Sequence, residues 1–211
     1  MTTYADSTTS SRFDAARLDY EVARAAAASA EQFAACHARD RIFALLDHTT
    51  DTLINTPAPS LGAVATKLEC LFGEALFDEH DPRSNAWRFL IGDLRLAERV
   101  FLGFEEPDLS GGMDLTRLAA DWTETLHEYV RWSTLLHEGP SDAWGQSKRA
   151  DIVALMDEAE ANLLCMHAPD LNAACKKVEL LALNYTDDPL EYAGLLETLR
   201  DLRRFAVSQA Q

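Results

Sequence analysis

Apolar residues recur at three- and four-residue intervals along almost the whole chain, the spacing of amphipathic helices and not the alternation of half-buried strands. Leu18, Val22, Ala25, Phe33 and Cys36 form a first stripe, with Ser29 in its gap, and Ile42, Leu45, Leu46, Thr49 and Leu53 form a second. No Gly or Pro marks a break between them near His37-Ala38, so residues 12–56 read as one long helix or two, although the second half of the chain breaks at the matching place. Pro57-Ala58-Pro59 ends that segment, because proline lacks a donor and disfavours helix in the residue before it. Ser60 stands where an N-cap belongs, ahead of Leu61, Val64, Ala65, Leu68, Leu71 and Phe72. After Asp81-Pro82 comes a stripe of Trp87, Leu90, Ile91, Leu94, Ala97 and Phe101.

Gly103 to Met113 reads as a linker. Asp114 can then cap a helix carrying Leu115, Leu118, Trp122, Leu126, Tyr129 and Leu136, up to a break at Gly139-Pro140. Ile152, Leu155, Met156, Ala159 and Leu163 mark the next helix. Asp170 caps one with Leu171, Ala174, Cys175, Val178 and Leu181, and Asp188-Pro189 opens a last one with Leu195, Leu199, Leu202 and Phe205. The expected class is all-α.

The second half repeats the first. With residues 41–71 laid over 151–181, 12 of 31 positions are identical without a gap. Shared Leu and Ala follow from two helices in phase and mean little. Pro59/Pro169 ahead of a cap, followed by Lys67/Lys177 and Glu69/Glu179, is not forced by periodicity. Asp93-Leu94-Arg95 matches Asp201-Leu202-Arg203 at an offset of 108, and Arg17/Arg117, Leu18/Leu118 and His37/His137 match at 100. The shift from 100 to 110 implies ten extra residues near Glu138 to Ser147. The chain thus divides into a polar tail (1–11), a first repeat (12–102), a linker (103–113) and a second repeat (114–208). A unit of about 90 residues buries a modest share of its surface alone. Two tandem, pseudo-symmetric four-helix units packed into one eight-helix body are therefore expected.

The matched polar residues flank the apolar stripes. Lys67 and Glu69 lie about 100° to either side of Leu68, and Asp93 and Arg95 flank Leu94 in the same way. An antiparallel hairpin would pair Lys67 with Asp93 and Glu69 with Arg95, and likewise Lys177 with Asp201 and Glu179 with Arg203. Such pairs set register. The alternative makes the two lysines a pseudo-symmetric anion site, against the overall charge.

That charge is −16, from 19 basic and 35 acidic side chains. It repels phosphate backbones and anionic lipid, so neither direct nucleic-acid nor membrane binding is expected. A protein partner with a basic surface fits better, and a homo-oligomer is compatible. Cys36, Cys70, Cys165 and Cys175 form no CxxC pair and sit among apolar residues, as buried free thiols do. The polar N-terminus lacks a signal core, so the expected location is cytoplasmic.

Little catalytic chemistry is written in the chain. Glu124-x-x-His127 has the spacing used in di-iron bundles, but such sites need a second ExxH and two more carboxylates, and the matching segment near Arg24 has neither. His37 and His137 are read as helix ends. No metal or cofactor is expected. The extra loop carries Asp142 and Trp144, a tryptophan that either plugs the bundle or anchors an interface. Thr56-Pro57-Ala58-Pro59-Ser60-Leu61-Gly62-Ala63-Val64-Ala65-Thr66-Lys67-Leu68 resembles a TPAxxLGxxAxKL segment of small uncharacterised helical bacterial proteins, proteobacterial or from mobile elements, for which no activity is known. The resemblance implies a bacterial origin and transfers no site. The resulting expectation is a non-enzymatic acidic protein acting through protein–protein interaction, as adaptor, inhibitor or regulator. The alternative is a ligand-binding or catalytic bundle with a pocket between the repeats, lined by Trp87, Trp122, Tyr129 or Trp132.

Overall fold

The computed structural model describes residues 7–33, 36–73, 82–101, 115–138, 146–185 and 189–209. They form eight helices: α1 (Ser7–Phe33), α2 (Cys36–Asn55), α3 (Leu61–Phe72), α4 (Pro82–Phe101), α5 (Leu115–Glu138), α6 (Gln146–Cys165), α7 (Leu171–Tyr185) and α8 (Pro189–Gln209). The described residues contain no strand. The 103–113 linker, the caps Asp114 and Asp188, and the side chains of Phe33, Cys36, Phe101 and Leu115 lie outside the described residues.

Two helix starts show how the local sequence acts. Ser60 is extended (φ −149°, ψ 170°), and its hydroxyl accepts the Ala63 N–H at 3.2 Å. Asp170 does the same for Ala173 at 2.8 Å. Each side chain satisfies an amide that the first helical turn leaves unpaired.

Helices α3, α4, α7 and α8 make the centre: α3 packs on α4 and α8, and α7 packs on α8 and α4. Helix α2 reaches this centre against α8 and α3, and α6 against α4 and α7. Helices α1 and α5 lie outside, packed chiefly on α2 and α6 respectively. Leu68, Leu90, Leu94, Leu181, Leu195 and Leu202 are wholly enclosed, and Trp87 stacks on Phe72 with ring centroids 4.0 Å apart. The backbone of α8 comes so close at Gly194 that a Cβ there would stand 2.7 Å from a Leu71 methyl and 3.3 Å from Ile54.

Segment 12–56 is two helices, and α1 starts at Ser7, inside the stretch read as tail. His37 accordingly falls in the first turn of α2 and not at a helix end, whereas His137 does sit in the last turn of α5, 2.8 Å from the Ser133 carbonyl. The α1 stripe is also corrected. Leu18 and Val22 are 59% and 62% exposed, and Ala25 is exposed too. The buried face is Phe13, Ala16, Tyr20, Ala23, Ala27 and Ala30. This second set has strict 3–4 spacing. Its two aromatics supply area at one end, and its alanines let α1 approach α2 closely at the other. Leu45 on α2 and Leu155 on α6, expected in stripes, are likewise exposed.

Candidate functional site

The most polar part of the interior lies where the first four helices meet the last four. Lys67 on α3 is 1% exposed, and its Nζ sits 2.6 Å from Asp201 Oδ2 on α8. The same oxygen accepts the Ala58 N–H at 3.0 Å. Arg204 approaches the other carboxylate oxygen at 3.4 Å and donates to the Ala58 carbonyl. Asp201 therefore fastens the turn before α3 as well as the lysine within it.

Lys177 on α7 is wholly buried, and its Nζ lies 3.5 Å from Asp93 Oδ2 on α4. That oxygen accepts the Ala168 N–H at 2.7 Å, and Lys177 also donates to the Met166 carbonyl. His167 closes the cluster, with Nδ1 2.6 Å from Asp93 Oδ1 and its ring edge-on to Phe89. The ammonium also lies over Phe89 and Trp122, 5.9 and 5.8 Å from the ring centroids, where the ring quadrupole attracts it. Burial pushes the pKa of both lysines below the ordinary 10.5, and the facing carboxylates offset part of that. Among the described residues no buried side-chain nitrogen or oxygen lacks a hydrogen-bond partner.

The lysine partners are thus exchanged relative to the expectation: Lys67 meets Asp201 and not Asp93, and Lys177 meets Asp93 and not Asp201. Glu69 and Arg95 stand 2.5 Å apart, and Glu179 and Arg203 2.7 Å, each within one hairpin. Helix geometry explains the difference. Lys67 and Glu69 project roughly 200° apart around α3, so one neighbouring helix cannot receive both. Glu69 faces α4, which leaves Lys67 facing α8. The hairpin pairs are partly exposed and worth at most about 1 kcal/mol each. The crossed pairs are buried, and losing one partner from such a pair costs about 3–5 kcal/mol.

Asp142 and Trp144 lie outside the described residues. Glu124 and His127 are exposed on α5 beside an open hollow that they share with Ala119, Ala120, Thr123, Glu128 and Arg131. The described residues hold no group of three or more His, Cys, Asp or Glu placed to bind a metal ion. Of the aromatics expected around a pocket, Trp87 and Trp122 are core residues, 1% and 5% exposed. Cys175 is buried and Cys70 half-buried, with burial raising each thiol to about 11. Cys165 is exposed, so the expectation of a buried thiol fails there. No described helix is long and apolar enough to cross a membrane.

Segments 74–81 and 102–114 contain acidic residues but no Lys or Arg. Comparison of the chain with family models, with curated proteins and with solved structures gives no match.

Proposed function

We propose that this is a non-enzymatic interaction protein, a helical adaptor or regulator built from two copies of one four-helix unit related by an approximate two-fold axis. The observation that carries it is the number of large apolar side chains left exposed among the described residues: Leu18, Val22, Leu45, Val130 and Leu155 on the α1–α2 and α5–α6 hairpins, and Leu96, Leu183, Tyr192, Leu196 and Val207 on α4, α7 and α8. Each outer hairpin, α1–α2 and α5–α6, is only two helices thick away from the centre, so each buries one face and offers another.

The two-copy reading is supported by packing and by residues. Helix pairs α3–α8 and α7–α4 are equivalent under a swap of halves, as are α2–α8 and α6–α4. The fastenings correspond as well: Lys67–Asp201–Ala58 answers Lys177–Asp93–Ala168. Burial favours a register for the first helices two residues away from the expected one: the buried Ala16, Tyr20, Ala23, Ala27 and Ala30 correspond at an offset of 102 to the half-buried Leu118, Thr125, Tyr129 and Trp132 and the buried Trp122. On that register the second copy carries eight extra residues in place of ten. Free cysteines and the TPAPSLGAVATKL segment fit the reducing cytoplasm of a bacterium.

Affinity capture from a bacterial extract, followed by calorimetry with each purified captured protein, tests the function. Saturable binding by at least one of them that weakens when salt is raised is the expected outcome. A metabolite or metal that raises the melting temperature in a thermal-shift screen, with no captured protein binding saturably, refutes it.

A further inference from the structure

Helix α1 carries two apolar strips, and only one of them is used by the fold. The buried strip faces α2. The other, Ala15, Leu18, Val22 and Ala25, lies nearly opposite on the helix wheel and is exposed along its whole length. Its 3–4–3 spacing is that of a coiled-coil seam, which another helix fills by knobs-into-holes packing. A helix that is apolar on both faces has a second neighbour to meet.

The charges beside the strip identify that neighbour. In the heptad set by Ala15, Leu18, Val22 and Ala25, the flanking positions on one side hold Asp14 and Glu21, and on the other side Arg12, Asp19 and Ala26, a net acidic border. Asp14 and Asp19 make no ion pair among the described residues. Glu21 has only a long, exposed contact of 3.8 Å with Arg17, which is worth little. A second copy of this chain is therefore disfavoured. A parallel copy sets Asp14 against Asp19, and an antiparallel copy centred on the strip sets Asp19 against Asp19 and Glu21 against Glu21. An anionic lipid surface meets the same repulsion.

We propose that the outer strip of α1 docks one amphipathic helix of a partner protein, with Leu- and Ala-like residues along its seam and Lys or Arg at its flanks. This rests on the interaction reading above and names the partner's chemistry. The small residues at both ends of the strip let the two backbones approach, and Leu18 and Val22 supply the central contact. The acids select basic flanks, as charges beside a seam set partner choice in coiled coils.

Two designed heptad peptides with the same Leu/Ala seam test this, one with Lys and the other with Glu at the flanking positions. Fluorescence anisotropy with the full chain should show the Lys peptide binding at least tenfold tighter, with the preference shrinking as salt rises. Leu18→Asp/Val22→Asp should abolish binding, and the uncharged Leu18→Gln/Val22→Gln should do the same while lowering the melting temperature by only a few degrees, because both side chains are exposed. Asp19→Lys/Glu21→Lys should reverse the preference. Hydrogen exchange should slow across residues 11–29 on binding. Equal binding of both peptides, binding that survives the Leu18→Asp/Val22→Asp change, or no binding overturns the proposal. So does self-association, or binding to phosphatidylglycerol vesicles, that this double variant abolishes. If the peptides fail while a captured protein still binds the full chain, the inference falls and the interaction reading stands.

Discussion

Truncating Asp201 to Ala removes the partner of a lysine that is 1% exposed. It also removes the acceptor of the Ala58 N–H and the carboxylate facing Arg204. An uncompensated buried charge costs about 3–5 kcal/mol. In a chain of this length each kcal/mol moves the melting temperature by about 2–4 °C, so a fall of about 10 °C is expected. Lys67→Met should cost less, about 1–3 kcal/mol, because Asp201 keeps the Ala58 amide and Arg204. The test is a pair of double-mutant cycles by urea denaturation. Lys67 with Asp201 should show coupling of about 1–3 kcal/mol, and Lys67 with Asp93 should be additive to within about 0.5 kcal/mol. The pH dependence follows from the same burial. With the folded pKa of Lys67 below its unfolded value, the unfolded state binds more protons in the window up to 10.5, so stability contributed at this site rises with pH there. Without Asp201 the folded pKa falls further, and the variant should recover part of its deficit toward alkaline pH. Coupling of Lys67 to Asp93 larger than its coupling to Asp201 would refute the crossed arrangement.

Gly194→Ala should destabilise by about 1–3 kcal/mol through overpacking against Leu71 and Ile54. Gly92→Ala, with nothing within 4 Å of the new methyl, should stabilise by about 1 kcal/mol from helix propensity, and equal effects in thermal melts would contradict both. Ser60→Ala and Asp170→Ala should each cost about 1 kcal/mol as lost caps; a cost below the error of chemical denaturation at both sites removes their capping role. Under a thiol reagent at neutral pH, with peptide mapping by mass spectrometry, Cys165 should be modified ahead of Cys70 and Cys175, whose thiols are raised to about 11 by burial. Modification of Cys175 first would show that α7 opens readily.

How much was legible from residues alone differs from element to element. Proline pairs, caps and apolar spacing are local properties, so α3, α4, α7 and α8 and their buried stripes follow from the sequence, as does the all-helical class. The repeated Lys-x-Glu and Asp-Leu-Arg segments single out the polar residues that hold the centre together. Their partners are another matter. The roughly 200° between Lys67 and Glu69 already rules out one helix receiving both, but which helix receives Lys67 depends on α8 lying beside α3, a contact between residues 134 positions apart. Helix α1 makes the same point from its two faces. Leu18 and Val22 are individually more apolar than the alanines opposite, yet the alanine-and-aromatic face is buried, because close approach to α2 rewards small residues. Composition and spacing determined that helices form, where most of them start, and which residues recur. Only the packing decided which strip of α1 is core and which is left exposed, and that the buried lysines cross between the halves, because both depend on neighbours the local sequence does not specify.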